Sequence, residues 1–140
     1  MRSLSAKTIF ATLAALVAVI AIAIAAIAWK SAREHTKLRE QAGAITGGDA
    51  IRGEAMFIQY GCGSCHAIEG VRTATGGVGP PLDNIALRVV VAGRLANTPA
   101  NMERWIRDPQ QVSPGTAMPD LNVSESDARD MTAFLYTRTE

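Results

Sequence analysis

The chain contains two cysteines, and they lie three residues apart in the segment Cys62-Gly63-Ser64-Cys65-His66. Residues i and i+3 share one face of a helical turn, so the two sulfur atoms can bond the same flat ligand. This C-x-x-C-H spacing is the pattern of covalent c-type haem attachment, and the adjoining imidazole then supplies an axial ligand to the iron. We therefore predict one haem c, attached through two thioethers at Cys62 and Cys65, with His66 on the iron.

Three other roles for these side chains are weaker. A structural zinc site needs about four ligands, and the other histidine of the chain, His35, is distant in the sequence. A thioredoxin-like dithiol normally belongs to a strand–helix–strand unit, and no such alternation is visible. A structural disulfide would leave His66 without a role, so covalent haem is the interpretation that uses all three side chains.

A long apolar segment precedes the motif. Residues 8–29 carry no charge and are almost wholly apolar, and this run of 22 residues is long enough to cross a bilayer as a helix. A cleaved signal peptide is the alternative, because Ala26-Ile27-Ala28 offers a small-x-small site. The apolar region of a signal peptide is typically about 7–15 residues long, so we favour a retained membrane anchor over residues 1–29.

Positive charge is concentrated around this apolar run. Residues 49–140 contain eight Arg, no Lys and eleven Asp or Glu, a balance of −3. The other basic residues flank the run: Arg2, Lys7, Lys30, Arg33, Lys37 and Arg39. Four of these six follow the run, so the positive-inside rule would place the C-terminal side in the cytoplasm. The net charge of the whole chain is +1, which argues against a nucleic-acid partner.

The rest of the chain divides into a connector and a folded domain. Residues 30–42 are polar and mostly good helix formers, so they predict a solvated extension of the anchor helix. Residues 43–48 resemble a flexible glycine-rich hinge, which completes a connector over residues 30–48. The domain over residues 49–140 is small for a hydrophobic core, and a bound haem would supply much of the missing core.

Three helices are predicted in the domain: Asp49 can cap the first, the second starts at Thr98, and the third opens with Ser124. The first runs to about Tyr60, and Gly61 can take the left-handed conformation after it. The second has Pro99 in its first turn and ends at Asp108-Pro109. The third has Asp127 in an arrangement similar to a capping box.

From residue 49 onward the chain resembles the class I cytochrome c family. Four segments carry this resemblance: residues 61–66 (GCGSCH), 79–82 (GPPL), 105–109 (WIRDP) and 114–119 (PGTAMP). The last two, with Arg88, resemble especially the cytochrome c domains that are fused to or associated with haem–copper oxidases. The resemblance implies an all-α class I cytochrome c fold around one covalent haem, here preceded by a single transmembrane helix.

The resemblance also implies the roles of further side chains. Met118 should be the second axial ligand through its thioether. The carbonyl of Pro80 should accept a hydrogen bond from the other ring nitrogen of His66, as is usual for a ligating imidazole. Arg88 and the indole N–H of Trp105 should contact the haem propionates.

Most methionines fill hydrophobic cores, and the chain has five of them. Met118 is singled out because it lies in a loop between Gly115 and Pro119, whereas other methionines lie on the apolar faces of predicted helices.

The resemblance further predicts that the first and last helices of the domain pack together. Gly53 and Phe57 should lie against Met131 and Phe134, and Gly53 should allow a close approach.

An electron carrier is the implied function, because an iron bound by His66 and Met118 has no open position for a substrate. We expect a single-pass protein of the bacterial inner membrane that carries its domain on the periplasmic side. The family attaches its haem there, which overrides the positive-inside rule. The expected partners are the membrane, a quinol-oxidising complex and a haem–copper terminal oxidase, with neither nucleic acid nor a small-molecule substrate.

Two other functions are open at this point. An electron-input subunit of another membrane redox enzyme, such as nitric oxide reductase, would carry a loop pattern different from GPPL at residues 79–82. A haem peroxidase would require that Met118 leave the iron. The chain has no C-x-x-x-C copper motif, so it is not itself the copper-bearing subunit of an oxidase.

Overall fold

A computed structural model of the chain describes residues 6–139. The described residues form two units that divide between Thr36 and Lys37. This boundary falls within helix α1 (Ala6–Thr46), the longest helix of the chain.

The first unit contains the predicted apolar run. The helical residues 7–36 are all exposed, and an 18-residue window within α1 has a mean hydropathy of 2.8. At the end of the run, the guanidinium of Arg33 lies 4.8 Å from the centre of the Trp29 ring. Soluble proteins rarely expose so large an apolar surface. Length and composition therefore fit a membrane span, as they would also fit a signal sequence.

The predicted hinge is shorter than the sequence suggested. Residues 30–42 continue α1 as expected, but residues 43–46 are also helical, and only Gly47 and Gly48 leave the helix. The hydroxyl of Thr46 stabilises this last turn, because it donates to the Ala42 carbonyl at 2.7 Å and accepts from the Gly48 amide at 3.2 Å. Gly47 then ends the helix with a φ of 73°, in the left-handed region that glycine favours.

The second unit contains the three predicted helices: α2 (Ala50–Gln59), α3 (Pro99–Arg107) and α5 (Glu125–Tyr136). Five short elements were not predicted: a helix α4 (Pro109–Val112), two 3-10 turns (Cys62–Ser64 and Ile85–Leu87) and two strands, β1 (Val90–Val91) and β2 (Leu95–Ala96). The two strands are antiparallel, with Val90 opposite Ala96. The unit is helical in character, as an all-α fold requires.

Capping side chains explain where the helices α2, α3 and α5 of the second unit begin. The Asp49 carboxylate accepts from the amides of Ile51 at 2.8 Å and Arg52 at 3.1 Å, and these amide hydrogen bonds lower the pKa of Asp49. The Thr98 and Ser124 hydroxyls accept from amides three residues ahead, at 3.3 Å and 3.1 Å. The predicted caps at Asp49 and Ser124 are confirmed, and Thr98 caps the helix that was predicted to start there. Each satisfies amides that a helix start would otherwise leave without a partner.

Helices α2 and α5 cross closely at the centre of the second unit. A Cβ on Gly53 would lie 1.9 Å from the Asp130 carbonyl oxygen, so only glycine fits there. One turn further along α2, the Phe57 ring packs against Phe134 with centroids 5.6 Å apart. Met131 and Phe134 are each 1% exposed. The predicted packing of the first and last domain helices is confirmed.

A Gly53→Ala variant tests this crossing. The added methyl group would meet backbone atoms of α5, which cannot rotate away, so we expect a loss of about 1–3 kcal/mol in unfolding free energy. Urea denaturation of the haem-loaded protein measures it. The matched control is Gly77→Ala, where a Cβ would have open space; its cost should stay within about 0.5 kcal/mol. Equal urea midpoints for Gly53→Ala and the wild type would contradict the crossing.

Candidate haem site

The second unit encloses a cavity of about 570 Å³. All seven of the predicted site residues line it: Cys62, Cys65, His66, Pro80, Arg88, Trp105 and Met118. Most of the other lining side chains are apolar and come from α2, α3, α5 and the loops between them, for example Phe57, Leu82, Ile106 and Leu135. The fold therefore brings together residues from four separate parts of the sequence.

The cysteine–histidine segment is positioned by the end of α2. Gly61 has a φ of 72°, which turns the chain out of α2 and into the 3-10 turn at Cys62–Ser64. The Cys62 carbonyl accepts hydrogen bonds from the amides of Cys65 at 3.2 Å and His66 at 3.0 Å. Both cysteines and the histidine are thus fixed within one tight turn at the cavity wall.

A returning loop closes over this turn from the other side. The Gly76 amide donates to the Gly63 carbonyl at 3.1 Å, and a Cβ on Gly76 would lie 2.3 Å from the Ser64 carbonyl oxygen. A Cβ on Gly63 would likewise lie 2.6 Å from the Thr73 carbonyl oxygen. The backbone of the returning loop therefore packs directly on the backbone of the Cys62–Ser64 turn, which leaves this turn little freedom to move.

The imidazole of His66 is oriented by the 79–82 segment. Its Nδ1 lies 2.8 Å from the Pro80 carbonyl oxygen, which can only accept, so Nδ1–H is the donor. The Gly79 amide donates to the Cys65 carbonyl at 2.8 Å and so ties this segment to the motif. With Nδ1 engaged in this way, Nε2 is the ring nitrogen left to bind a metal ion.

Gly79 is a site residue that the sequence analysis did not single out. A Cβ at this position would lie 2.4 Å from Cε1 and 2.6 Å from Nδ1 of His66, so a larger residue would displace the ring. The only sequence signal was a glycine directly before two prolines, which marks a turn without showing what packs on it. Gly79 is therefore part of the cradle that holds the imidazole.

Cys62 and Cys65 form no disulfide with each other, and both are half-buried. Burial raises the pKa of the Cys62 thiol to about 11, so this group is neutral at physiological pH. Redox-active dithiols have the opposite property, a lowered thiol pKa. Within residues 6–139, no cluster of three or more His, Cys, Asp or Glu side chains could hold a metal ion. The site thus offers little support for the dithiol and zinc alternatives.

Arg88 lies at the cavity wall on a segment that other residues hold in place. Its Nη2 donates to the Pro81 carbonyl and, at 3.2 Å, to the Asp83 carbonyl. The Asn97 side-chain amide donates to the Ile85 and Arg88 carbonyls, both at 2.8 Å. Asn97 was not predicted from the sequence, because an asparagine before a capped helix gives no indication of such long-range contacts. The roles of Arg88 and Trp105 toward propionates stay predictions.

Met118 reaches the cavity from the loop between α4 and α5. It is half-buried, and its amide lies 3.4 Å from the Thr116 hydroxyl oxygen. Gly115 has a φ of 80°, which reverses the chain just before this segment. The loop position that distinguished Met118 from the other methionines is thus the one found in the structure.

The residues at this cavity fit a haem c. The cavity has predominantly apolar walls, two thiols, one imidazole whose Nδ1 donates to the Pro80 carbonyl, and the thioethers of three methionines, Met102, Met118 and Met131. Met102 and Met131 are buried on helices α3 and α5, whereas Met118 lies on a loop. Imidazole and thioether together are the axial donors of cytochromes c. The close contact of Gly79 with the His66 ring is an arrangement that a free histidine on a loop would not need.

Comparisons with known proteins identify the family. The sequence model of the family described as "Cytochrome c" matches residues 50–139. The chain is 40% identical to "Cytochrome c oxidase subunit 2" of Alkalihalophilus pseudofirmus over 87 residues, which are 61% of this chain and 25% of that protein. It is 34% identical to the subunit of the same name from Bacillus subtilis over 85 residues, 56% of this chain and 24% of that protein.

A third relative is closer in length. "Cytochrome c2" of Rhodomicrobium vannielii is 30% identical over 115 residues, which are 69% of this chain and 85% of that protein. No solved structure matches the chain. The oxidase subunits are much longer proteins, and the chain spans only about a quarter of the length of each. The family match nevertheless covers nearly all of the cavity-forming part of the chain, from α2 to α5. The chain therefore belongs to the cytochrome c family, an all-α family whose cofactor is covalently bound haem c.

Proposed function

We propose that this protein is a membrane-tethered cytochrome with one haem that passes single electrons to a haem–copper terminal oxidase from a quinol-oxidising complex. The observation that carries the proposal is the pairing of a tautomer-fixed imidazole, His66, and a thioether, Met118, in the walls of one cavity. With both axial positions filled by protein, the site has no place for a substrate. This is the property of a carrier rather than of a peroxidase.

Each side chain has a distinct task in this proposal. Cys62 and Cys65 would hold the haem through thioether bonds, and His66 Nε2 and the Met118 sulfur would supply lone pairs to its iron. When bound, haem supplies reversible one-electron exchange at its iron. The Pro80 carbonyl keeps the proton on Nδ1 of His66 and so keeps Nε2 available. The apolar walls exclude water, and water exclusion together with a thioether ligand favours the reduced, less charged state.

The proposed partners rest on the relatives and on α1. Two of the relatives reported above are named as subunits of cytochrome c oxidase, which supports a terminal oxidase as the electron acceptor. In this proposal residues 1–29 anchor the protein in the inner membrane, residues 30–48 connect, and residues 49–140 carry the haem on the periplasmic side. A tether of this kind replaces diffusion in bulk with a high effective concentration beside membrane partners.

Replacing Met118 by histidine tests the axial assignment. A second imidazole stabilises ferric iron more than a thioether does, and axial ligands set haem potentials over a range of about 0.8 V. We therefore expect Met118→His to keep its haem while its midpoint potential falls by on the order of 0.1 V or more. Redox titration measures this shift. Met56→Leu is the control, because Met56 lies outside the cavity lining. An unchanged potential in Met118→His would exclude Met118 as a ligand.

Replacing Cys65 by serine tests the covalent attachment. One of the two thioether bonds can no longer form, so haem staining per molecule should fall after denaturing electrophoresis. Ser64→Ala is the matched control, since Ser64 lies between the two cysteines and its exposed hydroxyl makes only local contacts, to the Gly61 carbonyl at 2.7 Å and to the adjacent Cys65 sulfur at 3.8 Å. Undiminished staining of both Cys65→Ser and a variant lacking both thiols would falsify the attachment.

The cavity rim predicts how electron transfer responds to salt. Arg88 is the only charged residue among the described residues that line the cavity. Val78, Val90 and Leu121 also line it, and each is exposed. Salt weakens interactions between charges, so oxidation by the membrane partner should change less than about threefold between low and physiological ionic strength.

A Val78→Lys variant makes this assay decisive. It adds a charge at a residue that is 74% exposed at the rim. Its oxidation rate should depend on salt more steeply than that of the wild type. A steep fall in the wild-type rate with added salt would show that distant charges steer docking and would overturn the prediction.

A further inference from the structure

Gln110 contacts the Met118 loop through all the hydrogen-bonding groups of its side chain. Its Nε2 donates to the carbonyl oxygens of Thr116 at 2.9 Å and Met118 at 2.8 Å. Its Oε1 accepts from the Gly115 amide at 3.1 Å. One side chain on α4 thus holds three backbone groups within four consecutive residues of the loop.

The chemistry of its neighbours fixes the orientation of this amide. The NH₂ group of glutamine has two donors, and both point to carbonyl oxygens, while the carbonyl oxygen faces an N–H. Rotating the amide by 180° would set its oxygen against two carbonyl oxygens and its NH₂ against a donor. The three bonds therefore form together or are lost together, although the side chain itself is exposed.

Helix α4 gives Gln110 a fixed base. A helix of four residues is too short to be stable alone, but Pro109 at its start is fully buried. The Asp108 carbonyl accepts from the amides of Gln111 at 3.1 Å and Val112 at 3.2 Å, which ties α4 to the end of α3. The backbone of Gln110 is thereby part of the folded core, and its side chain reaches outward to the loop.

The loop has few other hydrogen bonds that could position Met118. The Thr116 amide donates to the Ser113 carbonyl at 3.1 Å, and the Met118 amide meets the Thr116 hydroxyl at 3.4 Å. Apart from the three bonds with Gln110, the hydrogen bonds described for residues 114–118 stay within the loop and Ser113. Gly115, with its φ of 80°, leaves this backbone able to adopt other conformations.

We propose that Gln110 is the positioning residue for Met118. By fixing the carbonyl of Met118 and the turn before it, the Gln110 amide keeps the thioether at the cavity and resists its departure. This inference rests on the proposed function, since it takes Met118 to be an axial ligand. It predicts that Gln110 controls how readily an external ligand replaces the methionine.

The experiment uses the full-length, haem-loaded protein in the ferric state. Gln110→Leu has a similar size but none of the three hydrogen bonds, and Gln110→Glu keeps an acceptor while it sets a carboxylate against two carbonyl oxygens. The rate at which added imidazole displaces the sulfur ligand is followed through the absorption band of sulfur–iron ligation. We expect an increase of roughly tenfold in Gln110→Leu and a larger increase in Gln110→Glu.

Gln111→Leu is the matched control. Gln111 is the next residue on α4 and is also exposed, and no hydrogen bond of its side chain is described. In the Gln111→Leu variant, imidazole should displace the sulfur ligand at the wild-type rate. Haem content and urea midpoints are measured for every variant, because a residue that only supports the fold would lower the midpoint without selectively speeding exchange.

The outcomes separate this inference from the proposed function. Faster exchange in both Gln110 variants, with haem content retained, supports the positioning role. A wild-type rate in Gln110→Leu overturns it while the axial assignment stands. Loss of the folded protein in both variants overturns it as well, because Gln110 would then support the fold as a whole. Absence of the sulfur–iron band in the wild type itself would instead remove the proposed function.

Discussion

The close crossing of α2 and α5 is the contact on which the rest of the second unit depends. Gly53 removes the side chain that would separate the two backbones, and the buried carboxylate of Asp130 then accepts from the Asp49 amide at 2.8 Å and from Arg52 Nε. This carboxylate is paired at both oxygens, as a buried charge must be. Because α2 is fixed at its start, its C-terminal end delivers the cysteine–histidine turn to one place on the cavity wall.

The rest of the site depends on glycines, whose lack of a side chain lets separate parts of the backbone pack closely around the motif. Gly63 and Gly76 let the returning loop pack on the motif, and Gly79 lets the Pro80 carbonyl reach the His66 ring. A small domain has little apolar surface to bury, so it gains order from such close contacts and from the cofactor that its cavity fits. The same glycines leave the protein unable to accept larger residues on the histidine side of the cavity.

Local chemistry made much of this fold predictable from the sequence. Asp49, Thr98 and Ser124 cap helices with their own side chains, so the helix starts could be read without knowledge of the tertiary structure. The spacing of the cysteines and the histidine indicated the cofactor in the same way. The exit from α1 was misjudged, because glycine composition suggested a hinge while the Thr46 hydroxyl stabilises one more helical turn.

What the sequence did not reveal depends on contacts between distant residues. Helix α4 has four residues and no capping side chain of its own, so no local sequence pattern predicts it. Its position depends on the burial of Pro109 in the folded unit. The amides of Asn97 and Gln110 bond to carbonyls that are five or more residues away, and nothing in their neighbours marks them. In the sequence, the glycine at position 79 predicts only a turn. Its close contact with the His66 ring is evident only from the structure.

The two side chains proposed as axial ligands are held by different kinds of interaction. His66 is fixed by close-packed backbone and by a carbonyl in a proline pair, which has little freedom to rotate. Met118 sits on a glycine-containing loop, and the backbone around it is held by one exposed glutamine amide. Exposed hydrogen bonds compete with water and are individually weak. If both side chains bind the iron as proposed, the methionine side is where small changes in free energy would alter ligation, while the more rigid histidine side would keep the cofactor in place.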